Sequence, residues 1–161
     1  MRIYTDASTK GKLSGIAYVA TTSKNIELYK AGVTIDQPDN NTAELLAILY
    51  AIDDTQPILK ENEHTTILTD STYAINAIRT GKCRENEKPL VHKIRDMMTY
   101  GKYAIFHVKG HCQDGTVLSY FNKRADKMSK VVRILEEKRL EREKKKKNFI
   151  AINAKRNNFE L

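Results

Sequence analysis

The segment TTILTDSTYAI, residues 65–75, changes from a strand pattern to a helix pattern at a single acidic residue. Its first five residues are β-branched or apolar, which favours a strand, and a helical pattern begins after Asp70. Asp70 and Ser71 are both residue types that cap helices, so a capping role alone would explain the acid. A strand that leads directly into a helix predicts a domain of the α/β class.

The N-terminal segment RIYTDAS, residues 2–8, repeats this pattern, because a short β-type run ends at Asp6 and is followed by a small residue and a serine. We therefore predict that the first strand spans residues 2–6. If the strands that end at Asp6 and Asp70 are parallel neighbours, their carboxyl ends meet at the edge where α/β sheets bind ligands. The two acids are then expected to share one site.

The chain contains further segments with strand character and with helical periodicity. Strands are predicted at residues 2–6, 14–22, 25–34, 65–70 and 103–110. Helices are predicted at residues 42–53, 71–80 and 89–100, and a fourth is predicted to begin near Asn122. The short link between the second and third strands favours an antiparallel hairpin. This order of elements predicts a mixed α/β domain, with helices packed on a central sheet.

The length of 161 residues suits one folded domain. We assign residues 1–130 to a catalytic domain and residues 131–161 to a continuation of the last helix and a basic C-terminal tail. The sequence has no run of 18 apolar residues and no signal-peptide pattern, so no membrane association and a cytoplasmic location are expected. Cys83 and Cys112 lack the spacing of a zinc site or a disulfide framework, which agrees with a reducing compartment.

The formal net charge of +8 indicates an anionic partner, and most of the excess lies near the C-terminus. Residues 131–161 contain ten Lys or Arg and five Glu, a net charge of +5. Within them, the run EEKRLEREKKKKN at residues 136–148 either continues the last helix as a solvated rod or is disordered. The tail could contact a protein partner or add a contact to nucleic acid.

Two further acids, Glu44 and Asp126, lie near the predicted starts of helices. Each alone has a structural explanation, because Glu44 has the spacing of a capping box from Asn41 and Asp126 would favour the helix dipole. If both join Asp6 and Asp70, each close pair of carboxylates repels by about 1 kcal/mol in water and about 4 kcal/mol at an effective dielectric constant of 20. A cation relieves this repulsion, and oxygen ligands of this kind select Mg²⁺ or Mn²⁺.

Four motifs, in this order and at these intervals, resemble ribonuclease H of the type 1 class, which includes the form fused to reverse transcriptases. They are YTDAS at 4–8, NNTAELLAILYAI at 40–52, LTDSTYAI at 68–75, and VKGHCQ with NKRADKMS at 108–113 and 122–129. The resemblance implies a ribonuclease H-like fold, a mixed five-stranded sheet flanked by helices. It also implies endonucleolytic hydrolysis of the RNA strand of RNA–DNA hybrids by a two-metal-ion mechanism, which leaves 5′-phosphate and 3′-hydroxyl ends.

The resemblance also assigns roles to individual residues. The metal-binding and catalytic acids are implied to be Asp6, Glu44, Asp70 and Asp126, with two Mg²⁺ ions when substrate is bound and Mn²⁺ as a substitute. His111 is implied to assist proton transfer or product release. Contacts to the hybrid are implied for Asn40, Asn41 and Ser71, while Asn122 fits a residue that supports the last acid. An RNA–DNA hybrid is the expected partner, and a monomer is the expected state.

Two features depart from the family pattern. The segment between Gly81 and Pro89 is only KCRENEK, so the basic protrusion that helps some bacterial members grip the hybrid is absent. Asp39 occupies a position where many members have a threonine that holds a phosphate of the DNA strand, and an acid there would repel a phosphate. We therefore expect the basic tail to supply part of the affinity for the hybrid.

Two other functions are open to a chain with these motifs. One is a non-catalytic nucleic-acid-binding module on the same fold, although a binder of phosphates has no use for clustered negative charge. The other is a nuclease or integrase of the same fold that uses a different arrangement of acids.

Overall fold

The computed structural model describes residues 1–59, 63–100, 102–109 and 115–157, with side chains described up to Ile150. The strands are β1 (Arg2–Lys10), β2 (Leu13–Thr21), β3 (Glu27–Asp36), β4 (Thr65–Thr69) and β5 (Tyr103–His107). The α-helices are α1 (Asn40–Thr55), α2 (Thr72–Thr80), α3 (Lys88–Tyr100) and α4 (Val117–Asn157). Two short 3₁₀ helices lie at Gln56–Ile58 and Glu85–Glu87.

The five strands form one mixed sheet in the order β3-β2-β1-β4-β5. The strands β1, β2 and β3 are successive antiparallel neighbours, whereas β4 runs parallel to both β1 and β5. The sheet therefore confirms the predicted hairpin and the predicted parallel pairing of the two strands associated with acids. It also confirms the predicted class, a mixed five-stranded sheet flanked by helices.

The prediction that β1 ends at Asp6 is wrong. The strand continues to Lys10 and forms an antiparallel hairpin with β2, in which Asp6 pairs with Ala17. The turn of this hairpin contains Gly11, whose φ of 61° is the left-handed conformation that glycine adopts without strain. Pairing with β2 holds residues 7–10 of β1 in an extended conformation. The local sequence of these residues does not indicate a strand.

The fourth helix begins earlier than predicted, at Val117 rather than near Asn122. Asp126 consequently lies in the third turn of α4 and not at its N-terminus, so the helix-dipole explanation of this acid is wrong. The helix continues without a break to Asn157, over 41 residues. At 1.5 Å per residue it is about 60 Å long. Residues 136–148 were expected to be either a helical rod or disordered, and in the structure they are helical.

The sheet separates two apolar layers, because successive side chains of a strand point to opposite faces. On one face, Ile3 belongs to a cluster with the buried residues of α1, α2 and α3. On the other face, Tyr4 packs with Phe121 and Ala125 of α4. Helix α1 packs deep in the domain, since eight of its sixteen residues are buried.

No helix in the described part of the chain is both long enough and apolar enough to cross a bilayer.

Candidate active site

The parallel pairing of β1 and β4 brings Asp6 and Asp70 to the same level of the sheet. Tyr4 of β1 is the register partner of Leu68 of β4, and each acid follows two residues later. Asp70 does not cap α2. The N-cap is Ser71, whose hydroxyl accepts a hydrogen bond from the backbone N–H of Ala74 at 3.2 Å. The paired strands therefore place both carboxylates side by side.

The third acid comes from α1. The small residues Ala43 and Ala47 pack against Ala7 of β1, which lets this helix approach the sheet closely. The N-cap of α1 is Asp39, whose carboxylate accepts a hydrogen bond from the backbone N–H of Thr42 at 2.8 Å. The capping-box explanation of Glu44 is thus wrong, since Asp39 and not Asn41 caps the helix. Glu44 is instead buried and directed to the acids of the sheet.

Asp6, Glu44 and Asp70 form one cluster. A ligand oxygen from each of the three carboxyl groups lies within 4.8 Å of the other two. The pKa of Asp6 is raised to about 7, chiefly by burial; a hydrogen bond from Ser129 lowers it, and the charges of Asp126 and Asp70 raise it. Burial also raises the pKa of Glu44 well above its ordinary value, and the charges of Asp6 and Asp70 add to this effect. The fold therefore holds together acids that repel one another in their charged forms.

This cluster fits a divalent cation. Oxygen Oε2 of Glu44 is buried and has no hydrogen-bond partner among the described residues, which is costly for a carboxylate unless it binds something else. Three carboxylates within reach of one point are the hard oxygen ligands that Mg²⁺ and Mn²⁺ take. A bound cation would satisfy the unpaired oxygen and remove the repulsion between the charges.

Asp126 lies beside this cluster on α4. Its charge raises the pKa of Asp6, so the two carboxylates are close enough to interact. Its Oδ1 is paired with the ammonium of Lys130 at 2.6 Å, and it is not one of the three acids whose oxygens share the 4.8 Å range. The structure thus brings three of the four predicted acids into one ligand set and places the fourth next to it.

The other predicted site residues are distributed around the acids. Asn40 is exposed at the first position of α1, where its side chain partly offsets the rise in the pKa of Glu44, whereas Asn41 is half-buried. Ser71 caps α2 next to Asp70. Asn122 is buried, and its Oδ1 has no hydrogen-bond partner among the described residues. His111 lies outside the described residues.

Asp39, where a repulsion with a phosphate is predicted, lies beside a cation. A guanidinium nitrogen of Arg84 lies 2.7 Å from Oδ1 of Asp39, and this hydrogen bond lowers the pKa of Asp39 to about 2. Arg84 also lies over the ring of Tyr73, 5.7 Å from its centroid. The same guanidinium lies 3.6 Å from Oε1 of the buried Glu87, so one cation serves two acids, and the repulsion expected between Asp39 and a phosphate stays a prediction. The sequence could not reveal the pair of Arg84 and Asp39 because 45 residues separate the two.

One residue of the site was not predicted from the sequence. The hydroxyl of Ser129 donates a hydrogen bond of 2.5 Å to Oδ2 of Asp6. Ser129 follows Asp126 by three residues and continues the inward-facing row of α4 that includes Ala125 and Val132. A polar residue in an apolar helix row was the signal that could have indicated it.

A family model described as RNase H matches residues 1–133. The chain belongs to the RNase H family. This confirms the resemblance inferred from the four sequence motifs, and the matched range contains every described acid of the cluster. No curated protein sequence matches the chain at a significant level.

Solved RNase H structures share the fold of this RNase H chain. LC11-RNase H1, isolated from compost by a metagenomic approach, superposes with a TM-score of 0.72 at 21% identity, over 84% of this chain and 96% of the other. A structure of LC11-RNase H1 in complex with an RNA/DNA hybrid gives a TM-score of 0.72 at 20% identity, over 84% and 97%. RNase H1 from the halophilic archaeon Halobacterium salinarum gives 0.62 at 17% identity, over 81% and 95%.

A viral polymerase contains the same fold as part of a longer chain. The protease-reverse transcriptase of prototype foamy virus superposes with a TM-score of 0.69 at 18% identity, over 81% of this chain and 20% of the viral protein. At these identities the similarity concerns the fold, and membership of the RNase H family rests on the family model.

Proposed function

We propose that this RNase H-family chain is an endonuclease that hydrolyses the RNA strand of RNA–DNA hybrids and leaves 5′-phosphate and 3′-hydroxyl ends. The observation that carries the proposal is the convergence of Asp6, Glu44 and Asp70, with one oxygen of each within 4.8 Å, in a chain of this family. Support also comes from LC11-RNase H1, which has the same fold and was crystallised with an RNA/DNA hybrid.

Two Mg²⁺ ions, or Mn²⁺ in their place, are the cofactors we propose. Asp6, Glu44 and Asp70 would hold them, with Asp126 as a fourth ligand once its carboxylate is released from Lys130. When bound, such ions supply a more acidic water as nucleophile and positive charge for the attacking and leaving oxygens of the phosphodiester. The protein contributes fixed positions for the carboxylates, because they stand on a strand, a strand end and a helix that pack in one core.

Selection of RNA requires contacts to 2′-hydroxyl groups, since only these distinguish the two strands locally. Asn40 is exposed at the start of α1, and Ser71 begins α2 beside Asp70. Both positions flank the acid cluster, and amide and hydroxyl groups can donate to and accept from a 2′-hydroxyl. We assign substrate contacts to these residues and to Asn41, a supporting role to Asn122, and proton transfer or product release to His111.

The basic end of α4 is proposed as an additional contact for the hybrid. The helix is fixed to the C-terminal half of β1, because Arg133 donates to Ser8 at 3.2 Å and Glu137 lies 3.6 Å from the ammonium of Lys10. It therefore passes Asp6 and leaves the domain at the C-terminal end of β1. Residues Lys144–Lys147 follow about 10 Å further along the axis. All four side chains are exposed and none has an acidic partner among the described residues.

This arrangement favours nucleic acid over a protein partner for the tail. The acids of the rod are largely engaged within it, since Arg139 pairs with Glu136 and Glu143. The lysines that follow are left as a concentrated positive charge, which suits a phosphate backbone. A monomer in the cytoplasm remains our proposal for the state and location of the protein.

The test is a cleavage assay with three labelled substrates: an RNA–DNA hybrid, duplex RNA and duplex DNA. In the presence of Mg²⁺ we expect endonucleolytic products from the RNA strand of the hybrid only, with 5′-phosphate ends. Binding of the hybrid without cleavage under any metal condition would instead support the non-catalytic module, and cleavage of duplex DNA would support a different nuclease of this fold.

A further inference from the structure

The buried contact between Ser129 and Asp6 joins α4 to the acid cluster. Ser129 is fully buried, and its hydroxyl lies 2.5 Å from Oδ2 of Asp6 and 2.9 Å from the backbone oxygen of Asp126. A hydroxyl has one proton, so it donates to only one of these acceptors at a time. The carboxylate is the stronger acceptor because hydrogen bonds to charged groups are shorter and stronger than those between neutral groups.

The position of this hydroxyl is fixed by the backbone around it. Gly15 of β2 faces the turn of α4 that contains Ser129, and a Cβ atom added at Gly15 would lie only 2.0 Å from the backbone oxygen of Ser129. One turn of helix further on, the backbone oxygen of Val132 accepts a hydrogen bond from the hydroxyl of Thr34 at 3.1 Å. Helix and sheet are therefore in backbone contact here, and the hydroxyl has little freedom to move relative to β1.

Packing alone does not account for a serine at this position. The neighbouring inward residues of α4 are apolar, and alanine has nearly the same size and a higher helix propensity. A buried hydroxyl is costly unless it is hydrogen-bonded, and a serine inside a helix commonly satisfies itself on a preceding backbone oxygen. Here the shortest contact is made to an acid of the cluster instead.

We propose that Ser129 is a positioning residue for the metal site. Its hydrogen bond holds Oδ2 of Asp6, which restricts rotation of the carboxyl group and thereby sets the direction of Oδ1. Because Ser129 lies three residues after Asp126 on one helix, the same contact also fixes the separation between Asp6 and Asp126. The inference rests on the proposed function to the extent that the acid cluster binds divalent ions.

The test compares Ser129→Ala with Thr34→Val. Both variants remove a hydroxyl that links α4 to the sheet, but only Ser129 contacts an acid of the cluster. Mn²⁺ affinity is measured by isothermal titration without substrate, kcat and KM with hybrid, and stability by urea unfolding. We expect Ser129→Ala to weaken Mn²⁺ binding about 10- to 100-fold, as loss of a partner of a metal ligand does, and to lower kcat with KM for the hybrid little changed.

Thr34→Val is expected to keep the Mn²⁺ affinity and kcat of the unchanged protein. Its free energy of unfolding should fall by about as much as that of Ser129→Ala. Ser129→Cys keeps a weak hydrogen-bond donor of similar size, so its Mn²⁺ affinity should lie between those of Ser129→Ala and the unchanged protein. Wild-type Mn²⁺ affinity in Ser129→Ala, or equal losses in Thr34→Val, would overturn the positioning role. If the unchanged protein binds Mn²⁺ but does not cleave hybrid, the proposed function fails, whereas the role of Ser129 is still decided by the three affinities.

Discussion

Asp6 and Asp70 lie level with each other on neighbouring parallel strands, each two residues beyond the paired residues Tyr4 and Leu68. This register, more than any local motif, creates the site, because it places two charges together that 63 intervening residues separate in sequence. Glu44 joins them from α1, the helix that packs on the face of the sheet opposite α4. Removal of any one of these acids should damage metal binding without removing what holds the fold together.

Replacement of Asp70 by Asn is predicted to abolish cleavage while the protein stays folded. The side chain is only half-buried and Ser71, not Asp70, caps α2, so little stability depends on the charge. Loss of a residue that only supports a metal ligand lowers activity by up to about 100-fold. Because Asp70 would be a ligand itself, we expect the rate of hybrid cleavage to fall by more than this. Circular dichroism and urea unfolding provide the control. A variant with near-normal turnover would remove Asp70 from the mechanism.

The metal-free protein is predicted to lose stability as the pH rises from about 4 to about 7. Asp6 has a pKa of about 7 in the folded protein and an ordinary value of 3.8, so the folded state binds more protons than the unfolded state throughout this range. Stability contributed by the protonated form is therefore lost with increasing pH, at no more than about 1.4 kcal/mol per pH unit for this one group. Glu44 acts in the same direction.

The measurement is urea unfolding with chelator across this range, for the unchanged protein and Asp6→Asn. Because asparagine does not titrate, the variant should gain stability relative to the unchanged protein as the pH rises. Mg²⁺ should reduce the difference at neutral pH. A constant difference between the two proteins would show that the fold does not raise the pKa of Asp6.

Replacement of Gly15 by Ala is predicted to destabilise the domain and disturb the site together. The added Cβ would lie 2.0 Å from the backbone oxygen of Ser129, so α4 must move away from the sheet. Overpacking of this kind costs typically about 1 to 3 kcal/mol. Gly32→Ala is a matched control, since its Cβ would meet side chains and backbone only at 3.2 to 3.3 Å. Equal unfolding free energies for the two variants would contradict the close approach at Gly15.

Exchange of Lys144–Lys147 for glutamine is predicted to weaken binding of the hybrid and to reduce its dependence on salt. Removal of one ion pair between a lysine and a phosphate lowers the slope of log K against log salt by about 0.9. Glutamine has a helix propensity close to that of lysine, so the helix should persist. The exchange also keeps the ion pairs of Glu137 with Arg133 and Lys10, which deletion of residues 136–161 would remove. Identical binding across a salt series would exclude the basic end of α4 from the interface.

Several features of the fold could be predicted from sequence because they depend on local patterns. The β-branched runs indicated all five strands, and the apolar periodicity indicated four helices. The extension of β1 beyond Asp6 could not be predicted, since its polar residues become a strand only through pairing with β2. The start of α4 at Val117 was also missed.

The candidate site divides in the same way. The four motifs marked the acids and identified the family, although two local placements were wrong, since Asp6 lies within a strand and Asp126 lies in the third turn of a helix. The contacts of Ser129 with Asp6 and of Arg84 with Asp39 were not visible, because they join positions that only the folded chain brings together. Long-range contacts of side chains depend on packing geometry, which a sequence pattern does not contain.

The central claim is that Asp6, Glu44 and Asp70 form one site for divalent cations. Isothermal titration of Mg²⁺ and Mn²⁺ into the protein and into Asp70→Asn, without nucleic acid, tests it most directly. We predict saturable binding to the unchanged protein and a loss of that binding in the variant, with the folded state retained in both. Identical titration curves for the two proteins would contradict the claim.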